Sequence, residues 1–360
     1  MAYTNIDDPS AHFQIALYAG NNTTDHNIAN DGNSNLQPDL VWIKQRTSNN
    51  PHVLHDTSRG FDGSGLGYNL QTNSNAAEGT NGAFESFNTN GFGVGGTNVA
   101  SGAYNLSGSN YVAWQWKANG GTTSTDTTSS ITSTVQVNSD AGFSIVTYTG
   151  DGTTTGGFGH GLGVAPTVVI VKRRSGGTGF WCIYHESIGA YYFLRLESSD
   201  AQQSGPWQEI APTSTTVIVY PGTPVNGNGD TYVAYCFAEK QGYSKFSSYV
   251  GNGVANNGPF VYLGFKPRFI MIKSTTATGS HVIWDSKRSP FNGMDDYLVA
   301  AEADAEGTNG IFTIDAVSNG FKIRNTGANN GLNQSGTKYV YYAFAEHPFV
   351  NSKGVPTTAR

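Results

Sequence analysis

Three stretches of this chain repeat one pattern, and the repeat restricts the fold more than any other feature. They are Asn110-Tyr-Val-Ala-Trp-Gln-Trp116, Thr231-Tyr-Val-Ala-Tyr-Cys-Phe-Ala-Glu239 and Lys338-Tyr-Val-Tyr-Tyr-Ala-Phe-Ala-Glu346. β-Branched and aromatic residues dominate each stretch, a turn signal precedes it, and alternate side chains share a face, so each reads as a strand. One face carries Val112, Trp114 and Trp116, then Val233, Tyr235 and Phe237, then Val340, Tyr342 and Phe344. Three large apolar groups in register predict a face that fills a core, because a slip of one residue would expose all of them. The opposite face carries small residues such as Ala113, Ala234 and Cys236, which leaves room for a second layer to approach.

A second landmark precedes each copy at Pro38-Asp-Leu-Val-Trp-Ile-Lys44, Pro166-Thr-Val-Val-Ile-Val-Lys172 and Pro267-Arg-Phe-Ile-Met-Ile-Lys273. From Pro38 to Tyr111 is 73 residues, from Pro166 to Tyr232 66, and from Pro267 to Tyr339 72. Near-constant spacing predicts three copies of a unit of about a hundred residues, the size of a domain and longer than a solenoid or propeller repeat. The expected architecture is all-β: three tandem β-sandwich or jelly-roll-like domains, each with its own core. Their bounds are 13–119, 143–242 and 243–346, with a Ser/Thr-rich linker at 120–142. The direct passage from the second unit to the third predicts that these two form the stiffer pair. Residues 1–12 and 347–360 read as arms, too poor in apolar groups to fold alone and suited to lie on a neighbouring subunit.

Composition agrees with short strands and polar turns: 46 Gly, 19 Tyr, 19 Phe and only 13% charged residues in 360. The net charge of −6 disfavours nucleic acid and anionic membrane surfaces as partners. No run approaches the roughly 20 apolar residues of a membrane span, and the amino terminus does not read as a signal peptide. Cys182 and Cys236 lie inside apolar runs and read as buried free thiols.

The residues able to do chemistry are few. Asp56/Arg59 and Asp285/Arg288 share a three-residue spacing at equivalent places in two units, which fits a turn held by a carboxylate and a guanidinium. Glu239 and Glu346 match each other across units and read as strand-end features, where a glycosidase needs two carboxylates across one cleft. His185-Glu186 is the best lone candidate for acid/base work. Gly157-Phe-Gly-His160-Gly-Leu-Gly163 lacks the Lys-Ser/Thr ending of a phosphate loop and reads as a turn before a strand. No spacing marks a metal or cofactor site. The second unit differs from the others around Tyr191, Tyr192, Trp207 and Tyr220, and aromatics in exposed loops there make a candidate binding face.

The segments Ile6-Asp-Asp-Pro-Ser10, Pro38 to Lys44, Tyr111-Val-Ala-Trp-Gln-Trp-Lys117, Gly142 to Gly150, Gly159 to Pro166 and Tyr232 to Glu239 resemble a family of virion structural proteins. That family, usually labelled tail fibre or tail protein, occurs in tailed phages of marine bacteria. The resemblance covers nearly the whole chain and implies a component of a phage particle assembled in the host cytoplasm. It implies no catalytic residue. The expected function is a non-enzymatic tail-fibre or appendage subunit, homo-oligomeric in the manner of such parts, that contacts other virion proteins and host-surface glycan. A capsid decoration or adaptor protein and a host polysaccharide depolymerase are the alternatives. Within the amino-terminal arm, Ile6, Asp7, Asp8 and Pro9 are the expected assembly contacts.

Overall fold

A computed structural model describes residues 3–222, 224–308, 310–325 and 331–357. The chain is all-β, with 3-10 turns at Pro9–Ala11 and Glu186–Ile188 and otherwise antiparallel strands. Three large sheets share one strand order. In the first, Phe13–Ala19 pairs with Asn110–Trp116, which pairs with Leu40–Gln45, followed by Val53–Asp56, Gly67–Gln71 and Gly79–Asn81. The second runs Phe143–Thr149, Thr231–Phe237, Val168–Arg173, Trp181–His185, Tyr192–Arg195 and Gln203–Ser204. The third runs Ser244–Val250, Lys338–Pro348, Phe265–Ser274, Val282–Asp285, Asp296–Val299 and Gly307–Thr308.

Tyr111, Tyr232 and Tyr339 occupy the same register in these sheets, opposite Tyr18, Tyr148 and Tyr249. The three tyrosine pairs stack with centroids 4.9, 5.0 and 5.0 Å apart. The outer face of each large sheet packs on a smaller one: Ile28, Phe84 and Phe92 cover Ala113 and Tyr111 in the first unit. Phe158 and Val217 cover Ala234 and Cys236 in the second, and Val261, Ile314 and Phe321 cover Tyr341 and Ala343 in the third.

The inner faces differ from the sequence expectation of a separate core behind each landmark strand. Val112, Trp114, Trp116, Val233, Tyr235, Phe237, Val340, Tyr342 and Phe344 all belong to one buried cluster shared by the three units. A sheet with two apolar faces must bury both, and here the second face is buried against the other two sheets. At the centre is an apolar cavity of about 40 Å³ bordered by Trp42, Trp116, Tyr235, Phe269 and Phe344.

Polar contacts close the ring in one direction. Lys172 of the second unit donates to the carbonyl of Ala76 in the first at 2.7 Å, Lys273 of the third to Asp200 of the second at 2.6 Å, and Lys44 of the first to Ala303 of the third at 3.0 Å. All three lysines are fully enclosed, and burial pushes each ammonium pKa down to about 8. The same loops exchange backbone bonds: Glu78 N–H to Arg174, Gln202 N–H to Thr275 and Glu306 N–H to Arg46. Each of the three seams, that between the first and second units included, thus carries a lysine clasp and a backbone bond.

The linker and the arms also differ from expectation. Residues Ser124–Asp126 and Ser133–Asn138 form strands on the edge of the second sheet, because Val135 alternates with polar neighbours and buries against Val146 and Phe158. The amino-terminal arm folds on its own chain. Ile6 enters the shared core, Tyr3 donates to the Gly264 carbonyl at 2.8 Å, and Asp8 caps the 3-10 turn that begins at Pro9. Asp7 accepts from Ser352 N–H at 2.6 Å, joining the arm to the carboxyl-terminal tail. Ile6, Asp7, Asp8 and Pro9 thus make contacts within their own chain, with one buried isoleucine as the anchor and Asp7 still exposed. Residues 1–2 and 358–360 of the two arms lie outside the described residues.

Candidate binding surface

The second unit's departure from the repeat is an outward loop. Gly189, at φ 75, turns the chain out of the 3-10 turn Glu186–Ile188 and leads to Tyr191 and Tyr192. Their rings meet edge to face at 4.8 Å, with Tyr191 half exposed and Tyr192 partly buried. Backbone bonds then assemble the face: Gly205 N–H donates to Tyr191 at 3.1 Å, and Tyr220 N–H to Pro206 at 2.7 Å.

Trp207 does not belong to the exposed set. It is 1% exposed and packs edge to face with Tyr184 at 6.1 Å inside the second unit's own core. The sequence places it in a polar loop, but its large apolar surface is worth more buried, where it anchors the loop. Its anchoring sets the next two residues: Gln208 and Glu209 stand at φ 54 and φ 61. Side-chain-bearing residues rarely occupy that region, and such strain persists only where the surroundings impose it. Gln208 donates to the carbonyls of Val219 and Thr154, fixing its amide beside the tyrosines.

The result is an open groove bordered by Tyr191, Gly205, Gln208, Glu209 and Tyr220. Tyr191 and Tyr220 are each about half exposed, at 50% and 52%. Two phenol rings that border one groove with an amide and a carboxylate offer flat apolar faces and hydrogen-bonding groups together, the combination that polyhydroxylated rings require. Sequence reasoning missed Gln208 and Glu209. Positive φ leaves no mark when neither residue is Gly or Asn.

The other candidates take structural places. Asp56 accepts from Arg59 Nε at 2.5 Å and from the Tyr235 hydroxyl of the second unit at 2.7 Å. Asp285 accepts from Arg288 Nε at 2.5 Å and from Trp114 Nε1 of the first unit at 3.1 Å. The matching position in the second unit is His185, whose ring meets that of Tyr342 in the third at 5.2 Å. Burial pushes the His185 pKa down to about 3, so the imidazole is neutral, fully enclosed and removed from acid/base contact with solvent. His160 is buried and accepts from Leu162 N–H at 3.3 Å, holding its turn. Cys182 and Cys236 are buried free thiols, their pKa values raised by burial. Among the described residues, no three His, Cys, Asp or Glu side chains converge to hold a metal ion, and no helix is long and apolar enough to cross a membrane.

Sheet order, shared core and lateral groove together define an all-β protein of three similar units closed on one another. The chain belongs to the family described as domain of unknown function DUF7483, whose profile matches residues 8–348. No curated protein and no solved structure matches the chain.

Proposed function

We propose that the chain is a non-enzymatic structural protein of a bacteriophage particle, a tail-fibre or appendage subunit that presents the Tyr191/Tyr220 groove to host-envelope glycan. The observation that carries this reading is the strained, Trp207-anchored loop, which holds two tyrosines and Gln208 outward on a closed body. Strain maintained at a surface loop favours binding over packing. Other virion proteins and further copies of the chain are the expected partners. The test is retention on host-envelope polysaccharide: wild-type protein is held, and Tyr191→Ala with Tyr220→Ala releases it at unchanged melting temperature. Equal retention by the double variant defeats the reading. Release of new reducing ends from that polysaccharide would instead favour a depolymerase.

The compact body and the folded-back arms favour, as a second reading, a decoration or adaptor protein that contacts virion proteins alone. Copy number in purified particles separates the two, with hundreds of copies pointing to the head.

A further inference from the structure

The seam between the first and second units holds a group of residues without counterpart at the other two seams. Thr57 Oγ1 donates to Asp39 Oδ1 at 2.9 Å. The side-chain amide of Gln136 lies against the same hydroxyl oxygen, with Nε2 at 2.8 Å and Oε1 at 3.3 Å. An oxygen bonded to both ends of a planar amide lies near the amide plane, about 3.5 Å from its carbonyl carbon, and rotation of the amide about its broad terminal torsion turns a face of that carbonyl toward the hydroxyl. Gln136 Oε1 accepts from the backbone N–H groups of Gly121 at 3.0 Å and Asn119 at 3.1 Å. Two fixed donors there would stabilise the negative charge that develops on a carbonyl oxygen under attack. Gln136 Nε2 also donates to Ser58 Oγ at 3.0 Å.

Asp39 and Gln136 are fully buried and Thr57 is partly buried, which limits water as a competing nucleophile. Asp39 accepts further bonds from Ala118, Gly120 and Gly121 N–H, yet burial outweighs them and raises its pKa, making it a stronger base than an exposed carboxylate.

The repeat shows that the fold does not require this arrangement. The backbone bond from Thr57 to Asp39 recurs from Glu186 to Thr167 and from Ser286 to Arg268, so the other units carry different side chains at both positions. Gln136 comes from Ser133–Asn138, the second strand from the edge of its sheet and one that the first and third large sheets lack among the described residues.

We propose that Thr57 and Gln136 condense into an intramolecular ester that staples the first unit to the second. Thr57 Oγ1 attacks Gln136 Cδ as its proton passes to Asp39. The C–N bond of the tetrahedral intermediate then breaks, its electron pair going to nitrogen. The proton held by Asp39 passes to that nitrogen, and ammonia leaves. The carboxylate is regenerated, and no oxidant, reductant or co-reactant is consumed.

Intact-mass measurement on the purified full-length chain decides the matter, independently of glycan binding. The protein should be about 17 Da lighter than its sequence, the mass of one ammonia lost in forming the covalent link. Trypsin should release residues 47–59 joined to residues 118–172, and mild alkali should separate them with a carboxylate at position 136. Thr57→Val and Gln136→Ala should restore the full mass, and Asp39→Asn should slow the link by on the order of 100-fold. Full mass with two separate peptides in the folded wild type overturns the proposal. So does a loss of 17 Da without a linked pair, as from a succinimide at Asn81-Gly82.

Discussion

At the residue scale, the seams are set by what stands at one repeated position. Asp56 and Asp285 are buried carboxylates, each held by an arginine of its own turn and receiving one further donor from the next unit. Removing the charge of Asp56 while Arg59 stays buried leaves a guanidinium short of its partner, although Glu78 at 3.0 Å retains part of the pairing. Asp56→Asn should therefore cost about 3–5 kcal/mol, whereas Tyr235→Phe, which removes only the crossing hydroxyl, should cost about 1–2 kcal/mol. Chemical denaturation of both variants checks this, and equal losses would mean that the crossing bond and the ion pair act as one. The Asp-x-x-Arg spacing made the turn legible in the sequence, but nothing in it showed that a tyrosine some 180 residues away completes it.

At the scale of elements, the seam between the second and third units differs in kind. His185 and His281 flank the Tyr342 ring at 5.2 and 6.0 Å, and the charges that act on them are the cations Lys338 and Lys273. Burial lowers both histidine pKa values, that of His185 to about 3, so the folded state binds fewer protons than the unfolded chain. The stability associated with neutral imidazole is complete above the unfolded value near 6.5 and is lost as pH falls below it, for His185 down to about 3, by up to ~1.4 kcal/mol per pH unit for each group. Hydrogen exchange at pH 7 and pH 4.5 should show His185 to Ile188 and the facing part of Lys338–Pro348 losing protection at the lower pH. Unchanged protection of these residues at pH 4.5 would contradict this. The strands themselves were readable from period-two alternation, as were the turns between them. One signal was partial and one failed. In the Ser/Thr-rich stretch Val135 and Val137 admitted a strand, but a buried face so narrow left an extended connection as the expectation, and Trp207 looked like a loop residue because its anchoring partner, Tyr184, lies on another strand.

At the scale of the whole molecule, the shared core alters what a single truncation does. Periodicity shows that the Trp114 face is buried, but not against what, so the sequence suggested damage confined to one unit. Trp114 contacts Phe269 of the third unit at 5.9 Å, and its neighbour Trp116 contacts Phe237 of the second at 6.5 Å. Trp114→Ala should cost about 3–5 kcal/mol, lowering one common transition rather than detaching one unit. Calorimetry checks this by the number of peaks, and a separate early peak would show independent domains. The groove is the least legible part of all. It depends on backbone conformation at Gln208 and Glu209 imposed by a buried tryptophan, and residue types alone do not encode that.

Closure of the ring also frees the chain from its starting point. Asp7 meets Ser352, so the two arms lie together, while the passage from the first unit to the second is exposed at Thr122 and Thr123. A circular permutant that begins at Thr123 and ends at Thr122, with Ser352 joined to Asp7 through a Gly/Ser linker in place of the residues beyond them, retains every strand pairing in the three large sheets. It should refold to the same far-ultraviolet spectrum and melt within a few degrees of the parent. The order of the three units along the chain then becomes a matter of where the gene happens to begin, while their order around the axis is held by the lysine clasps and the seams.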